Sequence, residues 1–238
     1  MRFADYADDY VAHIERAIPL VGSRHDAFIK EKAEQLTQLA KLHFGNPKDV
    51  NILDVGCGVG LIERVLCGQF RNSVGVDVEP EVIEHARRTV PSADFFLFDG
   101  NTLPFPENAF DIVFAVCVFH HVNPERRQAL AAEMARVTSR NGLVVIIEHN
   151  PIHPVTRLIV SRCEFDRDAM LLGFSESRTL LRSAGLERVQ LKQILYVPWR
   201  TRFWKAIELL VSRLPFGTQY IVSAIKPAGL VSGTKLRS

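Results

Sequence analysis

The sequence predicts an α/β fold: a doubly wound, mostly parallel seven-stranded sheet with helices on both faces, built from a single chain of 238 residues. Three observations carry that expectation. Short apolar runs alternate with stretches of helical period between residues 51 and 148. Residues 143–147 are apolar without interruption, the pattern of a strand covered on both faces. The first apolar run also passes directly into Gly56-Cys57-Gly58-Val59-Gly60, where glycines let the chain turn sharply into a helix. A chain of this size can bury one substantial core and is small for two domains.

The elements follow in order. Residues 1–45 read as helices, because Ala27, Ile29, Ala33, Leu36, Leu39 and Ala40 recur near helical period among charged residues. Gly45-Asn46-Pro47 ends that segment. Then come strand 51–55, helix 61–69, strand 73–77, helix 80–88, strand 94–98, strand 111–116, helix 124–138 and strand 142–148. Ser139-Arg140-Asn141-Gly142 is a turn signal ahead of the last of these. Residues 149–154 read as an irregular connection broken by Pro151 and Pro154, followed by a helix at 175–184 and a strand at 187–195. Residues 199–214 have helical period and 219–225 have strand character.

Composition narrows the function. With 29 basic and 27 acidic side chains the net charge is +2, which gives no global electrostatic case for nucleic acid. The first residues carry acids and no apolar core of a signal peptide, and no apolar run approaches the ~20 residues of a membrane-spanning helix. Cys57, Cys67, Cys117 and Cys163 form no C-x-x-C pair, which suits buried thiols in a reducing cytoplasm. No His, Cys or Asp cluster has metal-ligand spacing, so no metal is expected.

The glycine turn and the end of the next strand point to a nucleoside cofactor. Asp77 lies 21 residues beyond Gly56, about where a strand–helix–strand unit places a carboxylate on a pair of ribose hydroxyls. The spacing is G-x-G-x-G, with Leu61 where a dinucleotide site wants its third glycine. Asp54, two residues before the first glycine, would repel a pyrophosphate and could face an ammonium or sulfonium group.

At these residues, with Val78-Glu79-Pro80, Phe98-Asp99-Gly100 and the strand 110–116, the chain resembles the class I S-adenosylmethionine-dependent methyltransferases over roughly residues 50–150. The resemblance implies their Rossmann-like fold, with residues 1–45 as a helical lid, 46–150 as the cofactor-binding core and 151–238 as a C-terminal part ending the sheet. It implies S-adenosyl-L-methionine as cofactor, held by Asp54, Gly56, Cys57, Gly58, Gly60, Asp77, Val78, Asp99, Gly100, Asn101 and Val116. Asp77 would accept from the ribose and Asp99 from the adenine amino group. Asp99 has a competing reading as the start of an Asp-Gly turn. Tyr6 and Tyr10 are candidates to cover the cofactor, and Lys30 or Lys32 to meet its carboxylate.

For catalysis the candidates are His121 and Glu148. His120-His121 leaves the fourth strand at the crevice edge, and an imidazole there could take a proton from an attacking hydroxyl; loop histidines that only hold backbone are the competing reading. His121 is preferred because His120 would share a strand face with Val116 and Val118. Glu148 ends the fifth strand, where it could equally cap a loop. Residues 148–157, Cys163-Glu164-Phe165-Asp166 and 214–220 resemble a bacterial subgroup associated with polysaccharide and glycolipid gene sets. The expected activity is methyl transfer to a small-molecule acceptor, with a sugar or lipid-linked hydroxyl favoured. A nicotinamide-dependent oxidoreductase on the same fold and a non-catalytic cofactor-binding module are the alternatives. Among residues 199–214, both tryptophans stand with Arg200, Arg202 and Lys205, so peripheral contact with the inner membrane face of a cytoplasmic protein competes with packing on the domain itself.

Overall fold

The computed structural model describes residues 25–163, 166, 168–194 and 217–229. Tyr6, Tyr10, Trp199 and the basic stretch beyond it lie outside the described residues. The elements run α1 (His25–Phe44), β1 (Asn51–Val55), α2 (Leu61–Leu66), β2 (Asn72–Asp77), α3 (Pro80–Thr89), β3 (Asp94–Leu97) and β4 (Phe110–Val116). They continue with α4 (Pro124–Val137), β5 (Thr138–His149), α5 (Pro154–Arg162), α6 (Phe174–Ser183), β6 (Glu187–Ile194) and β7 (Gln219–Ile225).

The seven strands form one sheet in the order β3-β2-β1-β4-β5-β7-β6. β1 through β5 pair in parallel, and β7 runs antiparallel between β5 and β6. The doubly wound sheet expected from the alternation is therefore present. Period-two alternation divides the central strands between two apolar layers. Ile112 and Phe114 of β4 face α1 and α2, packing with Leu36, Ala40, Ile62 and Leu66. Val113 and Ala115 face the opposite side, with Leu130 and Met134 of α4 and Leu180 and Leu181 of α6. Because both faces are covered, β4 and β5 read as continuous apolar runs.

The structure corrects the sequence reading in three places. α2 ends at Leu66, short of the expected 69, and Gly68 beyond it has φ of +69°. β5 begins at Thr138, so the turn signal 139–142 falls within the strand as a bulge between the pairings Phe110–Thr138 and Ile112–Leu143. Asn141 there has φ of +60°, and its N–H reaches the Lys226 carbonyl. Finally, the connection is irregular as expected through His153, but Pro154 then opens α5, a helix the sequence reading did not place. Proline at the first helical position costs no hydrogen bond, and the His153 ring caps the helix by accepting from Thr156 N–H. Among the described residues no helix is long and apolar enough to cross a membrane.

Candidate active site

The parallel strands β1, β2, β4 and β5 all end at one edge, the edge at which open α/β sheets bind ligands. The chain leaves β1 through a turn held by backbone: Gly56 and Cys57 N–H both donate to the Val76 carbonyl, at 2.8 and 3.0 Å. Gly56 has φ of +81°, and a Cβ there would lie 2.5 Å from Val118 Cγ2. A Cβ on Gly60, with φ of +77°, would lie 3.0 Å from Phe95 Cζ. Only glycine gives this path, because a side chain would fill the cradle and the left-handed backbone costs other residues roughly 1–2 kcal/mol.

Asp77 closes the cradle from the end of β2. Its Oδ2 accepts from Gly58 N–H at 3.0 Å, and its Oδ1 from Val78 and Glu79 N–H at 2.7 and 3.2 Å. Burial nevertheless holds its pKa above the ordinary value. Beneath the loop lie two further acids. Asp54 and Glu63 are 2% and 1% exposed, and among the described residues Asp54 Oδ1 and both Glu63 oxygens have no hydrogen-bond partner. Burial raises both, with their mutual repulsion adding to it on Asp54: Glu63 rises to about 7 and Asp54 well above its usual value. The orphaned Asp54 oxygen and the Cβ-free cradle fit a cofactor that carries a cation and approaches backbone closely.

Of the other expected cofactor residues, Cys57 is buried beside Gly75, Val78 is exposed, and Val116 is half-buried at the end of β4. Asp99 is exposed, and its Oδ1 accepts from Asn101 and Thr102 N–H at 2.8 and 2.9 Å. Those bonds lower its pKa and make it the start of a turn. Arg126 pins that turn by donating to the Gly100 carbonyl and Asn101 Oδ1.

The ends of β4 and β5 carry a second polar group. His120 is enclosed, and its Nδ1 donates to Glu148 Oε2 at 2.7 Å. Its Nε2 lies 3.3 Å from Asp166 Oδ1, and His121 Nε2 lies 3.4 Å from the same oxygen. Glu148 is 0% exposed, so it reaches the crevice through His120 alone. The structure thus joins Glu148 to His120, while His121 sits at the open side of the cluster. Burial alone would push His120 down, but Glu148 and Asp166 raise it well above 6.5. His121 falls to about 4 through burial and its charged neighbour His120. Glu148 would rise on burial, and His120 brings it to about 2. Arg127 fixes the surrounding loops by donating to the Val122 and Met170 carbonyls and to Glu176 Oε1.

Between the two groups stands Cys117, in the left-handed region at φ of +58°. Lys32 of α1 and Gln219 of β7 each place a side-chain nitrogen 3.4 Å from its sulfur. Burial would raise this thiol; the Lys32 ammonium and His149 bring it to about 7. Lys30, the other lysine considered, is exposed. Cys117 is no candidate in the sequence and Asp166 enters there only through the resemblance at residues 163–166, because what assembles them are contacts 85 positions apart in one case and a pairing of the end of β4 with a distant loop in the other.

A glycine cradle after β1, a carboxylate at the end of β2 and a reversed β7 form a frame that suits a nucleoside cofactor. Comparison with known proteins agrees. Residues 53–146 match a family model described as a methyltransferase domain. The chain is 26% identical over 200 residues to 2-methyl-6-phytyl-1,4-hydroquinone methyltransferase of Synechocystis sp., covering 76% of this chain and 61% of that one. It is 28% identical over 147 residues to demethylmenaquinone methyltransferase of Renibacterium salmoninarum, covering 62% and 60%. It thus spans about three fifths of the length of these curated relatives. The fold is also that of magnesium protoporphyrin IX methyltransferase of Synechocystis with bound S-adenosylhomocysteine, at a TM-score of 0.65, 16% identity, and coverage of 93% and 97%. The fold is thus that of the class I S-adenosylmethionine-dependent methyltransferases, and residues 53–146 are the part that is similar to their methyltransferase domain.

Proposed function

We propose that this protein transfers the methyl group of S-adenosyl-L-methionine to a small-molecule acceptor, with a sugar or lipid-linked hydroxyl as the favoured class. The observation that carries the reading is one crevice with two ends, a glycine cradle closed by Asp77 and, beyond Val118 and Cys117, the polar group at His120, His121 and Asp166. Bound in the cradle, the cofactor supplies an electrophilic methyl whose bond to sulfur breaks with the electron pair left on sulfur. In this reading Asp77 accepts from the ribose hydroxyls and Asp54 faces the cationic part. An acceptor hydroxyl at the other end gives its proton to His121, the imidazole on the open side, with Asp166 oriented against it. Glu148 is a positioning residue, because it holds His120 and meets nothing in the crevice.

The lipid-linked class draws support from an apolar row. Ile152, Val155, Leu158 and Met170 are all exposed, and Met170 N–H donates to the His120 carbonyl, which puts Met170 beside the site. The Synechocystis relative is named for a phytyl-bearing hydroquinone. A cytoplasmic protein that meets such an acceptor at the inner membrane face accords with this reading. Titration calorimetry with S-adenosylhomocysteine tests the cofactor end. Asp77→Ala should weaken binding roughly 10- to 100-fold, the loss of one charge-assisted interaction of about 1.5–3 kcal/mol. Unchanged affinity in a folded variant removes Asp77 from the site. Labelled methyl incorporation into a prenylated hydroquinone, a prenyl-linked sugar and a free sugar tests the acceptor, and activity on the free sugar alone ends the lipid-linked reading.

A further inference from the structure

We propose that His120, His121 and Asp166 are the protein ligands of a divalent metal ion of the zinc type, held at the acceptor end of the crevice. The three donor atoms lie within 4.8 Å of one another. The two Nε2 atoms stand 3.3 and 3.4 Å from Asp166 Oδ1. Ligand bonds of about 2.0–2.1 Å around a tetrahedral ion place neighbouring ligands about 3.3–3.4 Å apart, so both separations match an edge of that tetrahedron. They do not match a charge-assisted hydrogen bond, which closes to about 2.7–2.9 Å. The same histidine shows what such a bond looks like here, because its other nitrogen meets Glu148 at 2.7 Å.

Glu148 supplies what a ligating histidine requires. A carboxylate on Nδ1 fixes the tautomer that leaves Nε2 free for an ion and raises the basicity of the ring. Its other oxygen, Oε1, is buried without a hydrogen-bond partner among the described residues, so the acid adds negative charge beside the site beyond the bonds that Oε2 accepts from His120 and His149 N–H. The enclosure is one-sided. The His120 side chain is 1% exposed and that of Asp166 12%, whereas His121 is 42% exposed, which provides an entry path and leaves a coordination position facing the crevice. Two imidazoles and one carboxylate suit zinc and neighbouring first-row ions better than magnesium or calcium, which take oxygen ligands.

The ligand set stands on side-chain geometry and does not require methyl transfer. Where both hold, the open position receives the acceptor oxygen, and His121 is a ligand instead of the proton acceptor. The test uses the full chain, stripped by chelator and titrated with zinc by calorimetry and with cobalt by visible absorption. One equivalent should bind, with the intense absorption of four-coordinate cobalt. His121→Ala and Asp166→Asn should each lose roughly 100-fold or more in affinity, and Glu148→Gln roughly 10- to 100-fold. S-adenosylhomocysteine titration of the same samples reports the folded cradle independently. A protein that binds S-adenosylhomocysteine yet takes up no stoichiometric zinc or cobalt overturns the metal site. So does uptake that the His121 and Asp166 variants leave unchanged. Zinc uptake without S-adenosylhomocysteine binding instead supports the metal and overturns the methyltransferase reading.

Discussion

The two ends of the crevice treat buried charge in opposite ways. Beneath the glycine cradle, Asp54 and Glu63 are enclosed with no cation in hydrogen-bond contact among the described residues, and burial raises both acids. At the ends of β4 and β5, Glu148 is just as enclosed, yet His120 lowers it to about 2. The contrast follows from what each end must receive. Carboxyl groups left without a partner beside a backbone cradle are matched by a ligand that brings its own positive charge. Carboxylates already bound to imidazoles fix the direction of nitrogen atoms and leave them to meet an oxygen or an ion. One end is shaped by backbone and completed by the cofactor; the other is completed by side chains.

Breaking the compensated end should have the largest effect. Glu148→Ala removes the partner of an enclosed imidazole, and stripping one member of a buried pair costs about 3–5 kcal/mol. Urea unfolding of the chelator-treated protein checks this. A cost below about 1 kcal/mol would make the two ends alike and the pairing incidental.

The uncompensated end should respond in the opposite sense. Glu63 titrates near 7 in the folded chain against 4.5 in the unfolded, so its contribution is complete below pH 4.5 and is lost as pH rises through about 7. Glu63→Gln, which cannot ionise, should therefore be more stable than the parent above pH 7, by up to ~3 kcal/mol, and should flatten the decline between those pH values. Stability curves of the two proteins that run parallel from pH 5 to pH 8 would show that Glu63 does not ionise beneath the cradle.

The same contrast explains which parts could be read from the sequence. The cradle was legible because its physics is local: three alternate glycines, an acid ahead of them and Asp77 at the next strand end all follow from one strand–turn–helix–strand unit. The doubly wound sheet was legible because strands covered on both faces must be apolar throughout. The cluster at the other end was not. Which of His120 and His121 meets Glu148 depends on how the chain leaves β4 after the left-handed Cys117, and simple alternation gives no guide past such a residue. Asp166 joins through a loop more than forty positions later, held by no repeat or spacing. α5 was missed for a simpler reason: Pro154 starts the helix, and proline is as much a helix initiator as a breaker.

Cys117 stands on the seam between the two ends, and it offers the smallest but most direct test of their independence. Its thiol titrates at about 7 because the Lys32 ammonium lies 3.4 Å from the sulfur, with His149 assisting, against a burial that would raise it. Near neutral pH about half of it is therefore thiolate, whereas an ordinary cysteine is a few per cent ionised. Lys32→Met removes the larger of the two favourable charges and should move the alkylation profile of Cys117 up by roughly one pH unit, a change of about 1.4 kcal/mol. Iodoacetamide labelling read site by site in a mass spectrometer separates Cys117 from the exposed Cys67. Lys32 belongs to α1 and also lowers Asp54 beneath the cradle, so its removal should leave the Glu148 effect intact while raising Asp54 further. A Cys117 profile that stays in place when Lys32 is removed would mean that the acceptor end alone sets this thiol, and that the two ends do not share the residue between them.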